Sequence, residues 1–158
     1  MNTSFEREKQ NDEWLTPPKL LAELGPFFLD PCSPIQRPWN TATLHFNKND
    51  NGLYLQWSGR VFCNPPYGKE TGKWLKKCAE HKNAIALTSA RTETKMFHSE
   101  VWEKATAVFF LKGRLRFYTV AGTQGGTAGA PSILIAYDYA NAETLRKLTI
   151  PGKYLQIH

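Results

Sequence analysis

The nine residues RVFCNPPYG, at positions 60–68, decide how this chain folds. Residues 60–64 are a short and largely apolar run, which predicts a buried strand. The prolines end that strand, because proline has no N–H to donate to a neighbouring strand and its ring fixes φ. Residues 69–81 then predict a helix with Trp74 and Leu75 on its inner face. A strand that runs through a turn into a helix is typical of α/β sheets, which bind ligands at the carboxyl ends of their strands.

Outward from this segment, strand and helix patterns alternate along the chain. The predicted strands are residues 26–30, 44–46, 84–89, 107–111 and 132–137, and the predicted helices are residues 17–24, 93–104 and 142–148. For the first helix we expect Thr16 as N-cap and Pro17 at the first helical position. Residues 114–118 alternate polar and apolar side chains, and a glycine-rich stretch at 122–129 precedes the strand at 132–137. This pattern predicts an antiparallel hairpin of residues 114–118 and 132–137 at the sheet edge, with a long loop on it.

These patterns predict a single α/β domain over residues 13–158. Because its strands are nearly continuous apolar runs, we expect a mostly parallel sheet covered by helices on both faces, with an antiparallel edge hairpin. A length of 158 residues suits one domain. Residues 1–12 are polar and charged without periodicity, which predicts a flexible arm.

Composition limits the classes of function. Twenty Lys and Arg against fourteen Asp and Glu give a net charge of +6, which favours encounters with phosphate polymers without identifying one. The short apolar runs and the polar N-terminus predict a soluble, intracellular protein with no membrane span or signal peptide. Three cysteines do not suggest a disulfide framework, and Cys78 and His81 form a single CxxH step without a second pair, so we expect no metal.

Asn64, Pro65, Pro66 and Tyr67 carry the chemistry that the sequence suggests. The amide oxygen of Asn64 and the carbonyl oxygen of Pro65 accept hydrogen bonds, so together they select an amino group. Two acceptors that hold both hydrogens of an arylamine favour a pyramidal, nucleophilic nitrogen. Tyr67 offers a face on which a base flipped out of a duplex stacks. The alternative interpretation of these four residues is a rigid turn.

The segments EWLTPP, FFLDPC, GLYLQW, GRVFCNPPYG, TSARTETKMFH and KGRLRF, within residues 13–137, resemble the phage-type DNA N6-adenine methyltransferase (Dam) family. The resemblance implies a reduced, Rossmann-like methyltransferase sheet, S-adenosylmethionine as methyl donor, and the N6 amine of adenine in double-stranded DNA as acceptor, with the base flipped out. It implies that residues 64–67 form the catalytic motif. It also implies a bacteriophage or restriction-modification context, in the cytoplasm of a bacterial host.

The same resemblance implies the cofactor-binding residues Trp14, Thr16, Pro17, Asp30, Pro31 and Cys32. The sequence departs from the wider methyltransferase pattern, because SPIQRPW follows Cys32 where a glycine-rich turn is expected. Residues 31–60 are also too few for two further strands with their helices, since one βαβ unit needs about 30 residues. Asp50 is then the nearby acid for the ribose or adenine of the cofactor. A turn or cap remains an alternative role for Asp30, and an Asn/Asp/Gly turn for Asp50.

The candidate DNA-binding residues are Lys69, Lys73, Arg91, Thr92, Arg114, Arg116 and Phe117. Arginine suits phosphate and guanine contacts, and aromatic rings suit stacking. Solvated surface charge is the alternative for any one of these basic side chains. The glycine-rich loop either follows a groove of DNA or is a mobile edge loop.

Two further functions stay open at this point. The same chemistry would serve adenine in RNA or N4 of cytosine. The missing glycine-rich turn is also compatible with a non-catalytic DNA-binding module derived from such an enzyme. Other reaction classes find no support: GKETGK, residues 68–73, lacks the spacing of a phosphate-binding loop, and no GxSxG nucleophile motif occurs.

Overall fold

A seven-stranded mixed sheet and a three-stranded sheet form the framework of residues 13–158, the part of the chain that the computed structural model describes. In chain order the strands are β1 (Trp14–Leu15), β2 (Leu29–Asp30), β3 (Leu44–His45), β4 (Val61–Cys63), β5 (Ala84–Ser89), β6 (Ala107–Leu111), β7 (Arg116–Thr119), β8 (Gln124–Thr127), β9 (Ser132–Ala136) and β10 (Gly152–Gln156). The α-helices are α1 (Pro18–Leu24), α2 (Thr71–His81), α3 (Lys95–Phe97) and α4 (Tyr139–Arg146). The arm expected at residues 1–12 lies outside the described residues.

The large sheet has the strand order β10-β6-β9-β5-β4-β2-β3. Strands β3, β2, β4 and β5 are parallel to one another. Strand β9 runs antiparallel to both β5 and β6, and β10 runs antiparallel to β6. From β2 the chain crosses to β3 on one side and then returns to β4 on the other side. The carboxyl ends of β2 and β4 therefore flank a topological switch point, the place where open α/β sheets bind ligands.

Helices cover both faces of this sheet, as expected from the apolar strands. Along β5, Ala84 and Ala86 face one core with Leu75 of α2, whereas Ile85 and Leu87 face a second core on the other side. That second core contains apolar side chains of α1 and α4. Both cores include buried side chains of β9, every residue of which is buried. The sheet is thus the middle layer of three.

The position predicted for the antiparallel hairpin is wrong. Strand β9 lies inside the large sheet, and β10 forms the antiparallel edge instead. The reason is burial: β9 presents an apolar side chain to each core, whereas most residues of β10 are exposed. Strands β7 and β8 leave the large sheet and pair with β1 in the order β1-β7-β8. The expectation of a mostly parallel sheet is also wrong, because three of the six strand pairings in the large sheet are antiparallel and this sheet is mixed over the described residues.

The predicted boundaries of strands and helices agree best with the structure where the apolar runs are unbroken. The strands predicted at 84–89 and 107–111 are confirmed as β5 and β6. The helix predicted at 93–104 is instead the short α3, followed by a π-helical turn at His98–Trp102. The role expected of Thr16 as N-cap is wrong, because Pro17 is the N-cap and α1 begins one residue later.

Within the described residues, no helix combines the length and apolar character that crossing a membrane requires. Cys78 is buried in the core, and a ring nitrogen of His81 lies 2.8 Å from the carbonyl oxygen of Gly59. The side chains of the CxxH step are thus engaged in packing and in a loop contact.

Replacing Leu134 with alanine should lower the free energy of unfolding by about 2–5 kcal/mol, because the change leaves a cavity at the centre of the second core. Leu134 is fully buried on β9, whereas Leu155 on β10 is 43% exposed. The control variant Leu155→Ala should therefore lower the free energy of unfolding far less. Urea unfolding of both variants measures the difference, and equal losses would contradict the central position of β9.

Candidate active site

A cleft of about 470 Å³ opens at the switch point between β2 and β4. Pro31, Cys32 and Ser33, which follow β2, form one wall, and Asn64 and Pro65, which follow β4, form another. Its volume lies within the roughly 300–1,000 Å³ of small-molecule and cofactor sites. The cleft therefore lies where the strand order predicts a ligand site and has a suitable size for one.

The four residues of the predicted catalytic motif all line this cleft. Hydrogen bonds hold the motif at two points. The Thr71 hydroxyl donates to the carbonyl oxygen of Pro66 at 2.6 Å and accepts from the Gly68 N–H at 3.0 Å. The Asn64 side-chain amide donates to the hydroxyl of Thr16 at 3.4 Å. Among the described residues, no donor bonds to Asn64 Oδ1 or to the Pro65 carbonyl oxygen, so both acceptors are free for a ligand.

Tyr67 presents an aromatic ring to the cleft while half of its surface remains exposed. Desolvation raises the pKa of its phenol to about 12, so the hydroxyl stays protonated at neutral pH. The ring is therefore an uncharged surface on which a planar ligand can stack.

Asp30 lies behind the cleft and does not line it. Its carboxylate is almost fully buried, accepts a hydrogen bond from the Cys32 N–H at 3.1 Å, and accepts another from the Thr41 hydroxyl. Burial raises its pKa to about 6, although both hydrogen bonds and the Arg37 guanidinium lower it. Asp30 thus has the turn-forming role that the sequence left open. Its neighbours Pro31 and Cys32 are the ones that face the cleft.

Some of the other predicted cofactor residues line the cleft and some do not. Trp14 lines the cleft, whereas Thr16 and Pro17 do not. Thr16 is buried and contacts Asn64, and Pro17 accepts the first backbone hydrogen bond of α1. Asp50 is exposed and accepts a hydrogen bond from the Asn47 N–H at 2.8 Å, which is the alternative turn role.

Several residues around the cleft were missed by the sequence analysis: Glu13, Ser33, Pro34, Asn47, Lys48, Asn51, Gly52, Leu53, Tyr54, Glu70 and Trp74. The KNDNGL turn, residues 48–53, supplies four of them. Asn51 of this turn and the preceding Asn47 line the site, whereas Asp50 does not. The polar residues of this turn could have predicted that the turn lies at the site. A turn pattern does not predict which of its side chains face the cleft.

The basic candidates for DNA contact lie on the surface. Lys69, Lys73, Arg91, Thr92, Arg114 and Arg116 are all exposed. Lys73 pairs with Glu70 at 3.2 Å, and Arg114 donates to the Ala128 carbonyl oxygen at 3.3 Å. Phe117 differs from them, because it is buried and its ring forms part of the cleft wall.

Fold and site together define an α/β protein with a cleft at its switch point that offers two free acceptors to an amino group, a combination compatible with a methyltransferase-like fold. The model of the family described as DNA N-6-adenine-methyltransferase (Dam) matches residues 3–146, and the chain belongs to this family. The family implies N6 methylation of adenine in DNA, with DNA as substrate and S-adenosylmethionine as methyl donor. No curated protein and no solved structure shows a match.

Replacing Asp30 with asparagine should remove a pH-dependent loss of stability. Because the folded-state pKa of about 6 lies above the ordinary aspartate pKa of 3.8, the protonated form favours folding, and this contribution is lost as pH rises from about 4 to about 6. The difference amounts to about 3 kcal/mol. Urea unfolding between pH 4 and 7 should show the wild-type chain losing this stability and Asp30→Asn not losing it.

Thr41→Val provides the matched test, since the Thr41 hydroxyl lowers the pKa of Asp30. Without that hydroxyl the pKa of Asp30 should rise, so the loss of stability should occur at higher pH than in the wild type. An identical pH dependence of unfolding in wild type and Asp30→Asn would contradict the assignment to Asp30.

Proposed function

We propose that the chain transfers a methyl group from S-adenosylmethionine to N6 of a DNA adenine that is flipped into the cleft. The observation that carries this proposal is the pair of free acceptors, Asn64 Oδ1 and the Pro65 carbonyl oxygen, on the wall of a cleft at the switch point. The family supports the reaction, and the cleft supports the site.

The two acceptors give the site its selectivity for an amine. Each can take one N–H of an exocyclic amino group, and neither residue offers a donor at these atoms. As the nitrogen becomes tetrahedral in the transition state, its hydrogens become more acidic and these hydrogen bonds strengthen. Asn64 and Pro65 thus stabilise the developing positive charge, and solvent water takes the proton that the product amine loses.

The residues present fit S-adenosylmethionine. Trp14, Trp74 and Phe117 give the cleft aromatic faces, which attract cations. The acidic residues Glu13 and Glu70 also line it. When bound, the cofactor supplies an electrophilic methyl group on a sulfonium sulfur. We expect the loop at residues 31–33 and Trp14 to hold the cofactor, with Asn47 and Asn51 available to its hydroxyl groups or its adenine.

Base flipping accounts for the aromatic edge of the motif. Inside a duplex the adenine is stacked, and one hydrogen of its N6 amine is bonded to thymine, so the amine cannot enter the cleft with both hydrogens free. The enzyme must therefore unstack and unpair the base, at a cost of a few kcal/mol. The exposed face of Tyr67 offsets part of that cost by stacking on the extruded base. We expect Lys69, Lys73, Arg91, Thr92, Arg114 and Arg116 to contact the DNA around the flipped base.

The fold itself is consistent with a reduced Rossmann-like methyltransferase sheet. Its parallel half, β3-β2-β4-β5, has the switch point that such sheets use for nucleotide cofactors. Residues 31–60 supply β3 and a 3₁₀ turn at Gly52–Tyr54, but no α-helix. We infer that the part of the site that holds the adenosine of the cofactor is smaller, because this short connection forms it.

Asn64→Ala should lower methyl transfer by at least about 10²-fold, because removing one preorganised transition-state hydrogen bond commonly has an effect of this size. The assay incubates the protein with DNA and methyl-labelled S-adenosylmethionine and analyses the nucleosides for N6-methyladenine. Asn40→Ala, a change of an exposed asparagine that does not line the cleft, is the control and should retain activity.

Other products of the same assay separate the alternatives. Label on N4-methylcytosine, or only on an RNA substrate, would replace the proposed acceptor by another amine. DNA binding with no affinity for S-adenosylmethionine would favour the non-catalytic module. Full activity in Asn64→Ala would contradict the proposed site.

Arg116→Ala should weaken DNA binding about equally for all sequences and reduce the slope of log affinity against log salt by about 1, as expected for loss of one phosphate contact. Arg116 is exposed on β7, next to Phe117 in the cleft wall. Arg146→Ala is the matched control, because that guanidinium is paired with Glu143 at 2.8 Å on α4. Binding titrations at several salt concentrations measure both slopes, and equal slopes for the two variants would contradict the prediction.

A further inference from the structure

Two threonine hydroxyls hold the catalytic motif from opposite ends, and the proposed reaction leaves their role open. Thr71 lies at the start of α2 and Thr16 precedes α1. Both are buried, with exposures of 4% and 2%, and neither lines the cleft. Any effect of these hydroxyls on a ligand therefore passes through the motif.

Thr71 fixes the backbone of the motif. The proline rings set φ at Pro65 and Pro66, so ψ of Pro66 is one of the few free backbone torsions that place Tyr67. The hydrogen bond from Thr71 to the Pro66 carbonyl oxygen restrains this torsion, and the same hydroxyl accepts from the N–H of Gly68. By engaging the Pro66 carbonyl, Thr71 also leaves the Pro65 carbonyl as the free backbone acceptor.

Thr16 fixes the side chain of the motif. An asparagine amide can present either its oxygen or its NH₂ to a ligand, and the two choices have opposite hydrogen-bonding character. The NH₂ of Asn64 donates to the Thr16 hydroxyl, which leaves Oδ1 as the amide group available to a ligand. A donor facing the substrate amine would repel it, so this orientation decides whether Asn64 works as an acceptor.

We propose that Thr16 and Thr71 are positioning residues that aim the two amine acceptors and Tyr67 at the substrate. This inference rests on the proposed function and adds to it the means by which the motif is held in its reactive arrangement. Thr16 is accordingly assigned to Asn64 and not to direct contact with the cofactor.

The test compares Thr16→Val and Thr71→Val with Thr16→Ser and Thr71→Ser. Valine keeps the shape of threonine and removes the hydroxyl, whereas serine retains it. Thr144→Val is the control, because this threonine donates to the Ala140 carbonyl oxygen on α4 and does not line the cleft. For each variant the measurements are kcat, KM for DNA, the Kd of S-adenosylmethionine and the thermal midpoint.

Both valine variants should lose about 10- to 100-fold in kcat/KM, the size of effect expected from misplaced reacting groups. For Thr16→Val the loss should fall on kcat, with the Kd of the cofactor unchanged. Serine should restore most of the activity at either position, and Thr144→Val should match the wild type. The thermal midpoint of Thr71→Val should change little, because Pro66 and Gly68 are exposed and water can bond to their freed groups. The midpoint of Thr16→Val should also change little, because Asn64 lines the cleft, where water can bond to its freed amide.

Three results would overturn the proposal: full activity in both valine variants, loss of cofactor affinity in parallel with activity in Thr16→Val, or failure of serine to restore activity at either position. A separate NMR measurement does not depend on turnover. Exchange of the Asn64 side-chain NH₂ protons should be faster in Thr16→Val than in wild type, and equal exchange would contradict the contact. A wild-type chain that binds the cofactor without transferring methyl would instead overturn the proposed function.

Discussion

The short connection between β2 and β4 is the constraint on which the site depends. Thirty residues must cross to β3, form that strand, and return, so a turn has to close the cleft where a longer chain would place helices. Gly52 makes this possible, because its Cα approaches the carbonyl oxygen of Pro31 too closely for a side chain. Trp57 donates its indole N–H to the Gly52 carbonyl oxygen at 2.8 Å, and Lys77 of α2 donates to the Leu53 carbonyl oxygen at 2.7 Å. This turn is thereby attached to the same helix that follows the proposed catalytic motif.

Asp30 orders the loop that follows β2, which the short connection leaves without a glycine-rich turn. Without a glycine-rich turn after β2, the loop at residues 31–33 needs another source of order, and the buried carboxylate supplies it by accepting from Cys32 and Thr41. Keeping this group charged at neutral pH opposes folding, since desolvation is the largest influence on its pKa. The fold therefore retains a locally unfavourable charge in order to fix the wall of a cleft.

The sequence predicted the parts of the structure that depend on local pattern. The β4-turn-α2 unit, the inner face of α2 and the strands β5 and β6 follow from apolar periodicity and proline chemistry. The place of β9 did not follow, because a buried strand does not specify its neighbours. Thr16 was misassigned as a cap because its partner, Asn64, is 48 residues away. The sequence likewise did not show which side of β7 meets the cleft, so Phe117 was predicted as a DNA-binding residue without its place in the cleft wall.

The small sheet β1-β7-β8 joins Trp14 to the hairpin that carries Arg116. Gly125 of β8 lies so close to the Trp14 ring that an added Cβ would approach it to 2.8 Å. Changes of exposed side chains on this hairpin leave the Trp14 contact intact, but any side chain at position 125 would displace the tryptophan. Among relatives that differ in target sequence, this position should accordingly remain glycine wherever the tryptophan is retained.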